Sequence, residues 1–217
     1  MKKLDKKSNK HIELLIERYP ELKKCKNEII EAYLILEECY EKGGKLLIAG
    51  NGGSAADSNH IVGELMKSFV KKRKIDQKVF DKLMLNEKYG KELCDSLQGA
   101  LPAISLNNHE SLNTAFLNDV NPCATFSQQL IGYGNENDVF LGISTSGNSK
   151  NVVMAALVAK AKNLKVIGLT GEKESDLSKI SDVTIKAPEK EVYKIQEYHL
   201  PIYHCLCLML EDYFFKD

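Results

Sequence analysis

The chain has 217 residues, 43% hydrophobic and 28% charged, which is enough apolar sequence to bury the core of one globular domain spanning 1–217. Thirty basic and thirty acidic side chains cancel to a formal net charge of zero, so nothing global argues for nucleic acid or an anionic membrane surface as a partner. Lys2, Lys3, Lys6 and Lys7 are not followed by the apolar stretch of a signal peptide, and no membrane span appears later, so a cytoplasmic chain is expected.

Apolar residues recur at Ile12, Leu14, Leu15 and Ile16, and again at Ile29, Ile30, Tyr33, Leu34 and Leu36. This pattern predicts helices between His11 and Tyr40, interrupted near Pro20 and stopped by Gly43 and Gly44. They precede the first strand and can pack against another subunit or cap the same chain; the pattern favours neither.

Lys45 to Ala49 is too short for a free-standing helix and lacks strict alternation, as expected of a strand buried on both faces. Gly50, Asn51, Gly52 and Gly53 then permit backbone turns that side chains forbid, and Ser54 is expected to cap the helix that follows. The N–H groups at such a helix start attract phosphate or carboxylate, which makes the turn a candidate ligand site. On the helix, His60 and Glu64 lie four residues apart on one face, where both can touch one substrate or one metal, although a solvated i,i+4 pair has the same spacing. Gly50, Gly52 and Ala55 also fit the loose dinucleotide pattern. The acidic residue it wants about 20 positions on is replaced by the basic run Val70 to Lys74, which makes that reading weak.

Val79 to Leu97 carries Phe80, Leu83, Leu85, Tyr89, Leu93 and Leu97 at helical spacing with mixed charge, and reads as a solvated helical excursion. Further strands are predicted at Leu101–Leu106, Asp138–Thr145, Lys165–Thr170 and Asp182–Lys186. Their alternation with helical sequence argues for a parallel α/β sheet with ligands at the carboxyl ends of its strands. After one such strand, Ser144, Thr145, Ser146 and Ser149 precede a helix and form a neutral donor cradle suited to a phosphate monoester; simple helix capping is the other reading.

Glu191 to Phe215 is a long helical pattern that contains Gln196, Glu197, His199 and His204. Eight residues of helix rise about 12 Å. Gln196 and His204 therefore share a ligand only if it lies between them or the helix begins irregularly. The six cysteines show no C-x-x-C pairing and are expected as reduced thiols, with Cys205 and Cys207 in the core rather than on a metal.

Three stretches, GNGGSAADSNHIVGEL at 50–65, ISTSGNSKNV at 143–152 and IQEYHLPIYH at 195–204, resemble the signatures of the SIS (sugar isomerase) domain family and, within it, of the phosphoheptose isomerases. Asn118 and Asp119 resemble a fourth. The resemblance implies a flavodoxin-like three-layer sandwich around a central parallel sheet, with an N-terminal helical extension over about 1–43. It implies substrate contacts from Asn51, Gly52, Gly53, Glu64, Asn118, Asp119, Ser144, Thr145, Ser146, Ser149 and Gln196, to which the turn reading adds Ser54. It also implies one loosely held zinc per subunit on His60, Glu64, Gln196 and His204, in a homotetramer with active sites at subunit interfaces. The reaction expected is interconversion of sedoheptulose 7-phosphate and D-glycero-D-manno-heptose 7-phosphate through an enediol, with Glu64 as base and His204 as acid. A non-catalytic SIS tetramer that senses a sugar phosphate or binds a protein is the alternative. Two departures from the family pattern stand out: the segment between Glu64 and Leu101 is long, and Ser68 stands where relatives often carry a basic residue.

Overall fold

The computed structural model describes residue 4 and residues 6–216. Five strands, β1 (Leu46–Gly50), β2 (Ala103–Ser105), β3 (Val139–Ile143), β4 (Lys165–Gly171) and β5 (Val183–Ala187), pair in parallel in the order β2-β1-β3-β4-β5. That is the doubly wound flavodoxin-like order, whose chain reverses direction across the sheet between β1 and β3.

The strands are buried on both faces, so successive residues feed two separate cores. Leu46 and Ile48 of β1, Val139, Leu141 and Ile143 of β3, and Ile167 and Leu169 of β4 point into the larger one. It is covered by α1 (Lys6–Arg18), α2 (Lys26–Glu41), α3 (Gly53–Met66) and α10 (Val192–Phe214). Leu47, Ala49, Phe140 and Val166 point the other way, onto α7 (Thr125–Tyr133), α8 (Lys150–Ala161) and α9 (Asp176–Ile180). The three-layer arrangement follows.

The N-terminal helices belong to this chain's own core. Ile12, Leu15, Ile29, Ala32, Tyr33 and Leu36 are buried in the larger cluster, and a 3-10 turn at Pro20–Cys25 makes the break between α1 and α2. Leu14 remains 45% exposed on the outer side.

The excursion is two helices, α4 (Gln77–Met84) and α5 (Gly90–Ser96), where the spacing from Val79 to Leu97 predicts one. The break has a local cause. The Asn86 side chain accepts the backbone N–H groups of Lys88 and Tyr89, and at Gly90 a Cβ would fall 2.2 Å from the Leu83 carbonyl oxygen. Both helices are solvated: none of α4 and only Gly90 of α5 is buried. A short helix α6 (Glu110–Asp119) follows β2.

The excursion is tied to the sandwich by one buried ion pair. Arg73 and Glu211 are 3% and 1% exposed, and the Arg73 Nε donates to Glu211 Oε1 at 2.7 Å. The guanidinium also donates to the carbonyls of Leu65 and Glu64, at 2.7 and 2.8 Å, which satisfies two terminal acceptors of α3 and sets a cation at its negative end. Glu211 in turn accepts the backbone N–H groups of Phe69, Val70 and Lys71. Ser68 carries no charge, but its hydroxyl accepts the Arg73 N–H at 3.1 Å.

Removing Arg73 strands a buried carboxylate, so Arg73→Met should destabilise the protein by about 3–5 kcal/mol. Burial alone would raise the Glu211 pKa, but the three backbone N–H groups and Arg73 outweigh it and hold the carboxyl below its ordinary 4.5. A depressed folded-state value contributes stability that is complete above about pH 4.5 and fades as pH falls below it. Urea unfolding of both proteins from pH 7 to pH 3 should show a smaller acid-side loss in Arg73→Met. An unchanged midpoint at pH 7 would remove this pair as an anchor.

Candidate active site

β1 and β3 end side by side, with Gly50 opposite Ile143, so the loops that leave them open at the same edge of the sheet. This is the switch point of the strand order, where crevices form in open α/β sheets. A reciprocal amide pair joins the loops: Asn51 Nδ2 donates to Asn151 Oδ1 and Asn151 Nδ2 to Asn51 Oδ1, both at 2.9 Å. The sequence offers no sign of Asn151, because strand register alone brings two residues 100 positions apart together.

In the first loop Gly52 takes φ 56°, a left-handed conformation that costs glycine least. It also serves as the N-cap of α3, which corrects the expectation that Ser54 does so. The positive φ turns the chain early, and Ser54 N and Ala55 N already donate to Asn51 O and Gly52 O at 3.0 Å. Ser54 is therefore buried inside the first turn. Asn51, Gly52 and Gly53 are the exposed residues of this turn.

In the second loop, Ser149 is the N-cap of α8 but its hydroxyl makes no capping bond. It pairs with Ser144 Oγ at 3.0 Å, while Ser144 Oγ accepts the Gly147 N–H and Ser146 Oγ the Asn148 N–H. Ser144 is buried, Thr145 and Ser149 are half-buried and Ser146 is exposed. Simple capping does not account for these hydroxyls.

A second cluster lies about two turns along α3. His60 Nε2 is 3.2 Å from Glu64 Oε1 and 3.4 Å from His204 Nε2. Tyr203 Oη sits 3.0 Å from His60 Nδ1 and 3.2 Å from Asp57 Oδ1. The other Glu64 oxygen, Oε2, is buried without a hydrogen-bond partner; Lys67 Nζ is 3.9 Å away. Burial, then the neighbouring His60, lowers the His204 pKa against the opposing pull of Glu64.

Among the described residues no three or more His, Cys, Asp or Glu side chains close into a metal-holding group. The two spacings from His60, to Glu64 Oε1 and to His204 Nε2, nevertheless match the edge of a zinc tetrahedron, about 3.3 Å for bonds of 2.0–2.1 Å, and leave the orphaned Oε2 of Glu64 free. Gln196 stands apart from this cluster. α10 is helical from Val192 onward, and the Gln196 amide packs on Gly53, where a Cβ would lie 2.7 Å from its Nε2. One protomer thus sets Gln196 at the glycine turn and His204 with His60.

Asn118 and Asp119 hydrogen-bond to each other at the exposed end of α6. His199 is buried, donates from Nε2 to the Thr170 carbonyl and has its pKa pushed down to about 4 by burial, so it is a neutral core histidine. Cys205 and Cys207 are also core residues, and burial pushes the Cys205 thiol up to about 12. Asp57, Tyr203 and Asn151 are the site neighbours that sequence reasoning missed.

Residues 113–205 match the family model described as SIS domain, a span that holds the second loop, Gln196 and His204 but not His60 or Glu64. A phosphoheptose isomerase of Aneurinibacillus thermoaerophilus is 38% identical over 83% of this chain and 78% of its own length. One from Campylobacter jejuni is 38% identical over 87% of this chain and 88% of its own. Among solved structures, a phosphoheptose isomerase from Neisseria gonorrhoeae superposes with a TM-score of 0.72 at 29% identity, covering 94% of this chain and 96% of that one.

A methyl group at Gly53 should displace the flexible end of Gln196 while leaving the backbone intact. Gly53→Ala is expected to weaken sugar-phosphate binding roughly fivefold, the worth of one hydrogen bond, with the unfolding midpoint nearly unchanged. Calorimetry on both proteins checks it; equal affinities would separate Gln196 from the binding site.

Proposed function

The chain belongs to the phosphoheptose isomerase family of SIS-domain proteins, and on that premise we propose that it interconverts sedoheptulose 7-phosphate and D-glycero-D-manno-heptose 7-phosphate in heptose biosynthesis. The observation that carries this reading is that one protomer carries both a hydroxyl cradle at the carboxyl edge of the sheet and an acid–base cluster about two turns along α3. Ser144, Thr145, Ser146 and Ser149 receive the phosphate, and His60, Glu64 and His204 face the reacting end. A sensor or adaptor has use for the cradle but none for the cluster.

Moving a hydrogen between C1 and C2 through an enediol needs a base at carbon and a proton source at oxygen. Glu64 takes the carbon-bound proton; its buried, unpartnered Oε2 supports that role. His204 serves the sugar oxygen with a ring N–H of the neutral imidazole, the form favoured by its lowered pKa. Gln196, Asn51, Gly52 and Gly53 orient the substrate at the glycine turn. A zinc ion, one per subunit, would be held by His60, Glu64 and His204 and would supply an electrophile for the sugar oxygens; Gln196, the fourth ligand that the resemblance implies, stands at the glycine turn, apart from these three within one protomer.

We assign the protein to a homotetramer with active sites at subunit interfaces. Exposed Leu117 and Val120 on either side of Asn118 and Asp119 support this, since an apolar helix end beside candidate substrate ligands fits a subunit contact. No helix among the described residues is long and apolar enough to cross a membrane, and the free cysteines suit a reducing cytoplasm.

Replacing Ser146 and Ser149 together by Ala should weaken substrate binding roughly tenfold or more, taking about 1.5 kcal/mol for one hydrogen bond to a charged group. Calorimetry with the heptulose phosphate reads it, and full affinity in the double variant would exclude the cradle. Glu64→Gln should still bind substrate yet lose both isomerisation and solvent-deuterium exchange at the reacting carbon, by about 10²–10⁴. Wild-type exchange in Glu64→Gln with its metal content unchanged would eliminate Glu64 as the base.

A further inference from the structure

We propose that Asp57 and Tyr203 are positioning residues that commit His60 to its Nδ1–H tautomer, so that Nε2 presents a lone pair toward Glu64 and His204. The argument begins with one proton. Tyr203 has a single O–H and two neighbours that can take it, Asp57 Oδ1 at 3.2 Å and His60 Nδ1 at 3.0 Å. If it goes to Asp57, the phenol oxygen accepts from His60 Nδ1–H and Nε2 is bare. If it goes to His60 Nδ1, the proton of the imidazole sits on Nε2 and points at Glu64 Oε1, 3.2 Å away.

Two carboxylates therefore compete to set the tautomer, and their surroundings differ. Among the described residues the Asp57 side chain has one hydrogen bond, from Tyr203, and without it a half-buried carboxylate would face a phenol lone pair. Glu64 has a cation near its other oxygen, Lys67 Nζ at 3.9 Å from Oε2, and Asp57 has no ion pair among the described residues. The phenol proton therefore goes to Asp57, and that charge-assisted bond is the stronger of the two that Tyr203 can make. His204 can then donate its Nε2–H to His60 Nε2 at 3.4 Å.

The consequence is chemical. A bare His60 Nε2 lying 3.2 Å from a carboxylate oxygen sets two acceptors against each other, an arrangement that a cation between them relieves. The Tyr203 hydroxyl thus readies His60 to ligate, in the way that metal-bound histidines are oriented by the partner of their other ring nitrogen. This deepens the proposed isomerase reading and rests on it only for its bearing on catalysis.

The tautomer can be read with no metal or substrate present. In metal-free protein labelled with ¹⁵N-histidine, at about pH 8 where an ordinary imidazole is neutral, long-range ¹H–¹⁵N correlation identifies the protonated nitrogen. The His60 signal is assigned by its loss in His60→Gln. The wild type should show Nδ1–H, and Asp57→Ala, in which the phenol proton passes to Nδ1, should show Nε2–H. Tyr203→Phe keeps the ring in its core position and should lose the bias, and zinc affinity should fall roughly 10–100-fold in both variants. A merely structural Tyr203 would lower the unfolding midpoint and leave the tautomer alone. Nε2–H in the wild type, or Nδ1–H retained in both variants, overturns the proposal whatever the enzyme assay finds.

Discussion

The parallel pairing of β1 with β3, from Leu46 opposite Val139 to Gly50 opposite Ile143, sets where the glycine turn and the Ser144–Ser149 loop leave the sheet. Parallel strands end at the same edge, and this pair flanks the point where the winding reverses, so the connections diverge and leave a crevice between them. Shifting this register would carry Asn51 away from Asn151 and the glycine turn away from the Ser144–Ser149 hydroxyls. The two apolar cores that flank the strands, one fed by Leu46 and Ile48 and the other by Leu47 and Ala49, resist such a slip, because each strand must satisfy both at once.

The acid–base cluster depends on how α3 and α10 pack. Gln196 meets Gly53 at the start of α3, and Tyr203 and His204 meet Asp57 and His60 further along, so the two helices run in the same direction from the crevice. One end of their contact carries the glycine turn and the other carries Glu64. The Arg73–Glu211 pair closes this arrangement by joining the last turn of α3 to α10. A buried ion pair is a costly way to hold two helices together, and its geometry, with every Glu211 oxygen occupied, is what offsets that cost.

The long segment after Glu64 adds a helical pair whose apolar side chains Val79, Met84, Leu85 and Tyr89 face solvent in the single chain. Only its root is built into the sandwich, through Arg73 and the Ser68 N–H bond to Gln98. The segment can therefore vary in length without disturbing the strands, since the chain returns to Leu101 beside Leu65, whose carbonyl accepts the Leu101 N–H.

Much of this was legible in the linear chain, because apolar runs, glycine turns and hydroxyl clusters are local signals. All five strands, the glycine turn and the hydroxyl-rich loop, the spacing of His60 and Glu64, and the core placement of Cys205 and Cys207 follow from patterns only a few residues long. Local signals fail where a partner is distant or where two rules compete. Ser54 has the chemistry of a cap, yet a positive φ at Gly52 starts the helix before it. Helical spacing runs through Leu85 to Tyr89, yet Asn86 and Gly90 break it. The meeting of His60 with His204, of Tyr203 with Asp57, of Asn51 with Asn151 and of Arg73 with Glu211 spans 100 to 146 positions. Only the docking of helices onto a registered sheet decides such pairs, since their geometry is a property of the packed layers and leaves no period in the sequence.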